Sequence, residues 1–170
     1  MCLRPIEPGD HDAVLALNET AVDHVSPMDE ASLRWFVGHA HRVVVVEAAG
    51  EVAAFAVVLL PGTGYESPNY CWFSDRYDDF VYLDRIAVGE RWKRQGLGTA
   101  IYDEMEREAS AHSRLCCEVD VDPPNHASLA FHESRGYEET GQLRNAQGKV
   151  LTMLVKEIAA TGGDEQGAVP

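Results

Sequence analysis

The chain is poor in the features that mark a membrane span, a disulfide scaffold or a nucleic-acid binder. No apolar run approaches the roughly 20 residues needed to cross a bilayer. The most apolar region, Arg42 to Leu60, is broken by Glu47, Gly50 and Glu51. No basic start is followed by a long apolar core, so neither a secretory leader nor membrane association is expected. The four cysteines, Cys2, Cys71, Cys116 and Cys117, have no metal-ligand spacing. A bound metal is therefore not expected, and reduced thiols in a cytoplasm are. Lys and Arg number 14 against 28 Asp and Glu, and the net charge of −14 opposes contact with polyanions such as nucleic acid. There is no internal repeat.

What is present suits one domain. With 170 residues, 45% of them hydrophobic, the chain can bury a proper core without a second domain. The domain is expected over residues 1–158, followed by an unstructured Gly-rich tail over residues 159–170. Met1 to Ile6 reads as a short strand. Asp10 is placed to cap a helix with Val14, Leu17, Ala21 and Val25 on its buried stripe. A second helix, from about Asp29 to Val37, offers Leu33, Phe36 and Val37. Val43 to Glu47 and Val52 to Leu60 read as a hairpin covered on both faces. Pro61 to Phe80, rich in aromatics and acids without regular period, reads as a long functional loop and a candidate acceptor wall, though Tyr70, Trp72 and Phe73 would also serve to cover a sheet edge.

Val81 to Met105 organises the rest. Val81 to Val88 is a β-rich run, whereas Leu97, Ile101 and Met105 share a helix face. Between them lies a basic loop with two glycines. First-turn N–H groups lack intrahelical partners, so a helix starting near Gly96 is an anion cradle, with Arg91, Lys93 and Arg94 beside it. A Walker loop is excluded because no Gly-Lys-Ser/Thr follows at the required distance. A dinucleotide fingerprint fails because Ile101 stands where its third glycine should be.

Farther on, Leu115 to Val121 alternates, with Cys117 and Val119 on one face and Cys116, Glu118 and Asp120 on the other. Pro123 and Pro124 end it. Asn125 then caps a short helix on which Asn125, Ser128 and His132 form one polar stripe. As isolated residues these would be a cap, a first-turn support and a surface histidine. Tyr137 to Leu143 and Val150 to Lys156 form a last strand pair turned at Asn145 to Gly148.

Two of these motifs resemble those of the GNAT superfamily of N-acetyltransferases. Lys93-Arg94-Gln95-Gly96-Leu97-Gly98, entered from Ile86-Ala87-Val88, is similar to the family's Gln/Arg-x-x-Gly-x-Gly/Ala signature, with Lys93 in place of the planar side chain. Asn125-x-x-Ser128-x-x-Phe131-His132-x-x-x-Gly136-Tyr137 is similar to its Asn-x-x-Ser-x-x-Phe-Tyr-x-x-x-Gly-Phe segment. The resemblance covers most of Met1 to Ile158 and includes a bacterial branch of acetyltransferases. It implies an α/β (α+β) single domain with a mixed, mostly antiparallel central sheet and helices on both faces.

It also implies acetyl-CoA as the donor. Amides of Lys93 to Thr99 would clasp its pyrophosphate, and Asn125, Ser128 and Phe131 would flank the pantetheine arm. N–H groups near Ala87 and Val88 would polarise the thioester. The acceptor implied is a primary amine of a small molecule, with a homodimer left open as the form of the protein. His132 falls where the family often has the tyrosine that protonates the departing thiolate. For the base, strand parity puts Tyr82, Asp84, Ile86 and Val88 on one face. That parity, matched to the family's, selects Asp84 over Arg85, with Glu118 as second candidate. Asp84 reads equally as a buried carboxylate paired with an arginine. A non-catalytic acyl-CoA sensor is the alternative.

Overall fold

Seven segments rich in β-branched and apolar residues form one sheet, in the order β1-β2-β3-β4-β5-β7-β6. The computed structural model describes residues 1–159; the expectation for the tail falls, beyond Ala159, outside the described residues. The strands are β1 (Cys2–Pro5), β2 (Arg42–Ala48), β3 (Glu51–Leu59), β4 (Val81–Val88), β5 (Arg114–Asp122), β6 (Glu138–Arg144) and β7 (Val150–Glu157). Every neighbouring pair is antiparallel except β4 with β5. The sheet is therefore mixed and mostly antiparallel, as expected.

Helices cover both faces. On one side α1 (His11–Thr20), α2 (Glu30–His39) and α3 (Pro68–Ser74) bring Val14, Leu33, Phe36, Tyr70 and Phe73 onto Val45, Phe55, Val57 and Tyr82. On the other, α4 (Leu97–Glu108) lays Leu97, Ile101 and Met105 over Val44, Val58, Val81 and Leu115. Beside it, α5 (His126–Ser134) adds the partly buried Leu129 and Phe131. None of these helices is long and apolar enough to cross a membrane.

Four local expectations are corrected. The α1 stripe is shorter than predicted: the helix ends at Thr20 and Ala21 donates its N–H to the Asn18 carbonyl at 3.0 Å, so Val25 lies beyond it. Leu17 and Ala21 are only partly buried, and the second buried position of α1, after Val14, is Asn18, which serves Arg85 instead of the core. Asp10 stands before α1 without bonding its first turn, because its carboxylate is taken by Arg4 at 2.7 and 3.0 Å and by the Glu7 N–H at 2.8 Å. Val37 is 45% exposed. Finally, the long loop contains α3, whose entry follows from Pro68 at the first helical position, where a missing N–H costs nothing. Its short length hides any helical period in the sequence.

Candidate functional site: a wedge between two parallel strands

Strands β4 and β5 pair only at Val81 with Leu115 and Tyr82 with Cys116. Beyond that point they separate. The cause lies on both flanks. On the β3 side, Val58 faces Leu83 and Val57 faces Arg85, so Asp84 is the extra residue of a bulge that bends β4. On the other side β5 keeps to β7 from Arg114 to Asp122. The opening holds a cavity of about 110 Å³ lined by Leu83, Asp84 and Ile86 from β4, Cys117 and Glu118 from β5, and His132 from α5. Ser128, Asn125 and Tyr102 also border it.

The bulge also overturns the parity argument for Asp84. Tyr82 and Ala87 lie in the core under α1 to α3, whereas Leu83, Ile86 and Val88 pack toward α4. Simple alternation from Tyr82 to Val88 is thus broken at Asp84. A one-residue insertion flips every later side chain, and no feature of the β4 sequence alone announces it.

At the far end of β4 lies the glycine turn. Gly96 has φ 85° and Arg94 has φ 60°, and α4 begins at Leu97 as predicted. The N–H groups of Gln95 to Thr99 find no acceptor among the described residues, and a Cβ on Gly98 would meet nothing within 4 Å. This is an open, donor-rich anion cradle of the kind an acyl-CoA pyrophosphate fits. The basic side chains contribute less than the sequence suggests. Lys93 pairs with Glu90 at 2.6 Å, and Arg91 pairs with Glu51 while lying 4.9 Å from the Trp92 ring. Gln95 donates its side-chain amide to the Arg91 carbonyl at 2.6 Å, leaving its backbone free for a ligand. Ala87 and Val88 lead into this turn, and the Gly89 N–H ties it to the Ala53 carbonyl at 2.9 Å.

The α5 stripe points into the wedge. Asn125 caps the helix by accepting from the Ser128 N–H at 3.2 Å. His132 is not a surface histidine; it is 4% exposed. Its Nδ1 lies 2.7 Å from the Ser128 carbonyl, an acceptor only, so Nδ1 carries the proton. Nε2 therefore accepts, and its donor is the Tyr102 hydroxyl at 2.6 Å. Burial lowers the pKa of His132 and raises that of Tyr102, so both are neutral near pH 7. Phe131 stacks edge-on against Tyr102 at 5.0 Å.

Two acidic residues stand at the mouth in different surroundings. Glu118 accepts from Asn69 at 2.7 Å and from the Tyr82 hydroxyl at 3.0 Å. Burial and the charge of Asp84 nevertheless push its pKa up to about 8, so it holds a proton that an ordinary glutamate has lost. Asp84 is bound to the Arg85 Nε at 2.7 Å, with both side chains almost wholly buried. Arg85 in turn donates from Nη1 to Asn18 Oδ1 and to the Ser26 carbonyl, each at 3.0 Å. Both carboxylates line a second cavity of about 330 Å³ on the α1 to α3 side.

Sequence reasoning missed several of these groups. Tyr102 is one residue past the Ile101 stripe and looks like core. Asn69 lies on the unrecognised α3. Asn18 gives itself away only as a polar residue on a buried helix face. Of the acidic loop residues, Glu66 borders a cavity beside α2, but Asp79 is spent on His112 and Ser113, and neither Asp75 nor Asp78 lines that cavity or the two at the wedge. Among the described residues no group of three His, Cys, Asp or Glu could hold a metal.

A seven-stranded sheet split between two parallel strands, with a glycine-started helix at the split, defines the fold of the acyl-CoA N-acyltransferases. Residues 13–137 match the model of the Acetyltransferase (GNAT) family. The chain belongs to that family. It is 32% identical over 123 residues to the uncharacterized N-acetyltransferase YesJ of Bacillus subtilis, covering 70% of this chain and 63% of YesJ. Among solved structures, Ard1 of Thermoplasma volcanium superposes with a TM-score of 0.75 at 18% identity, covering 92% of this chain and 97% of that one. The ribosomal-protein-S18-alanine N-acetyltransferase of Escherichia coli gives 0.70 at 20%, covering 98% and 99%. At such identities these structures speak for the fold alone.

Proposed function

We propose that the protein is an N-acetyltransferase that moves the acetyl group of acetyl-CoA to a primary amine of a small molecule by direct attack. The observation that carries this reading is Glu118, a carboxyl group with a proton affinity near neutrality, placed where the wedge cavity meets the larger acceptor cavity.

Acetyl-CoA supplies an acetyl group activated as a thioester. The residues that would hold it are the amides of Gln95 to Thr99 for the pyrophosphate and the wedge walls, including Asn125, Ser128 and Phe131, for the pantetheine arm. N–H groups of β4 near Val88 would polarise the thioester carbonyl, a role that requires backbone only. An acceptor amine arrives as an ammonium ion and has no lone pair until it loses a proton. Glu118 in its ionised form takes that proton, and a pKa near 8 matches the task better than an ordinary carboxylate. Asp84, held by Arg85, is the lesser candidate. On the other side of the reacting centre, the Tyr102–His132 pair is the proton source for the departing thiolate.

The acidic chain as a whole favours a cationic acceptor over a polyanion. The test is twofold: calorimetric titration with acetyl-CoA, and thiol release across a panel of primary amines. Turnover with any amine supports the proposal. Tight acetyl-CoA binding without turnover on any acceptor would replace it with the acyl-CoA sensor.

A further inference from the structure

A third cavity, of about 600 Å³, lies between α2 and the loop that precedes α3. It shares Ser26, Pro27, Ser67 and Arg85 with the polar cavity that Glu118 lines, so the two adjoin. Their chemistry differs. The first is walled by ionisable groups. The second is walled by three aromatic rings, with Tyr65 placed 5.5 Å from Trp35 and 5.3 Å from Phe36 between ring centroids.

The cations of this space are already engaged. Arg85 is bound to Asp84, Asn18 and the Ser26 carbonyl, and Lys149 is bound to the Asp23 carbonyl and lies 3.6 Å from Asp120. Each already has partners within the protein, so a carboxylate on the acceptor would have to compete for them. A second cation in the aromatic cavity is also disfavoured, because the Arg85 guanidinium already sits 5.0 Å from the Phe36 ring. What remains is room for a neutral apolar body joined to the reacting amine.

Resting on the N-acetyltransferase reading, we infer that the acceptor is an aryl-substituted primary amine without a carboxylate, its nitrogen at Glu118 and its ring among Trp35, Phe36 and Tyr65. Trp35 is then a specificity-determining residue. It is partly exposed and lies at the edge of the core, so a change in acceptor preference in Trp35→Ala is read beside its melting temperature.

The experiment compares 2-phenylethylamine, ethylamine, phenylalanine and 1,4-diaminobutane as acceptors, by thiol release and by the thermal shift each causes in the acetyl-CoA-saturated protein. A fitted apolar pocket discriminates by roughly ten- to two-hundred-fold per group recognised. The expected result is a kcat/KM for 2-phenylethylamine at least about ten-fold above each of the others. Trp35→Ala should raise KM for 2-phenylethylamine by about ten-fold with little change for ethylamine, and Trp35→Phe should restore most of the loss. Equal kcat/KM for all four amines, or preference for the diamine or the amino acid, overturns the inference. So does an equal loss on 2-phenylethylamine and ethylamine in Trp35→Ala at unchanged melting temperature. If no amine is acetylated, the enzyme reading fails, and the thermal shifts still decide whether the aromatic cavity selects the aryl amine.

Discussion

The Tyr102 hydroxyl donates to Nε2 of His132 across 2.6 Å, joining α4 to α5 at the inner end of the wedge. Because Nδ1 of the same ring donates to the Ser128 carbonyl, the imidazole has no free proton of its own to give at neutral pH. The residue that occupies the family's tyrosine position is thus coupled to a tyrosine on another helix. In the proposed reaction, the proton that leaves toward the thiolate is the Tyr102 hydroxyl proton held against Nε2.

His132→Phe and Tyr102→Phe should each lower kcat by about ten- to a hundred-fold, at or below the low end of what a general acid contributes because the CoA thiolate is already a tolerable leaving group, while acetyl-CoA binding changes little. Since both act on one proton, the double variant should be no worse than the more impaired single one. Turnover and calorimetry on the three variants check this. Additive losses would assign separate roles to the two rings, and parental turnover for His132→Phe at every pH would remove His132 from catalysis.

The glycine turn makes a prediction in which two neighbouring glycines differ. Gly96 has φ 85°, a backbone region costly for any residue with a Cβ, so Gly96→Ala should destabilise the fold by about 1 kcal/mol. Gly98 has open space around it and no positive φ. Gly98→Ala should leave the melting temperature unchanged, whereas Gly98→Glu should abolish the stabilisation conferred by acetyl-CoA by placing a charge against its phosphates. Undiminished acetyl-CoA binding by Gly98→Glu would move the cradle elsewhere.

Much of this architecture was legible in the sequence, and the failures have identifiable causes. The Leu97, Ile101 and Met105 face, the β2–β3 hairpin and the Asn125 cap each follow from local pattern and appear as predicted. The bulge at Asp84 did not, because its partner strand decides it, and with it went the parity argument. The α3 helix escaped because seven residues give too few turns for a period to show. The pairing of Tyr102 with His132 joins residues thirty positions apart, and only packing of α4 on α5 brings them together. Glu118 stands in the sequence as the second candidate base, but its proton affinity comes from its surroundings.

One packing relation makes a stability prediction away from the chemistry. A Cβ on Gly141 would lie 2.6 Å from Cζ2 of Trp72, so the indole of α3 rests directly on the β6 backbone. Arg76 covers the other part of that indole, 3.8 Å from its centre. Gly141→Ala should push Trp72 away and cost about 1–3 kcal/mol, the usual penalty for overpacking. Because Asn69 lies on the same short helix and donates to Glu118, the variant should also disturb turnover. Chemical denaturation and thiol release measure both effects.

Asp84 and Glu118 are separable as base candidates because removing each charge should alter stability in opposite directions. Asp84 is the only carboxylate bonded to the buried Arg85 guanidinium among the described residues. Asp84→Asn leaves that cation uncompensated, and breaking one side of a buried pair costs about 3–5 kcal/mol. Glu118 is the reverse case. The folded protein holds its proton up to about pH 8, whereas the unfolded chain releases it near 4.5. The folded state therefore binds the extra proton between those values, and stability is progressively lost as pH rises through that window. Glu118→Gln removes this penalty while keeping an oxygen for Asn69 and Tyr82 to bond. Its melting temperature should match the parent near pH 4 and exceed it by a growing margin toward pH 8. Its turnover should lose the limb that rises with pH toward about 8 in the parent. If Asp84→Asn instead keeps its stability and loses that limb while Glu118→Gln retains it, the base is Asp84 and the charge of Arg85 is what sets its reactivity.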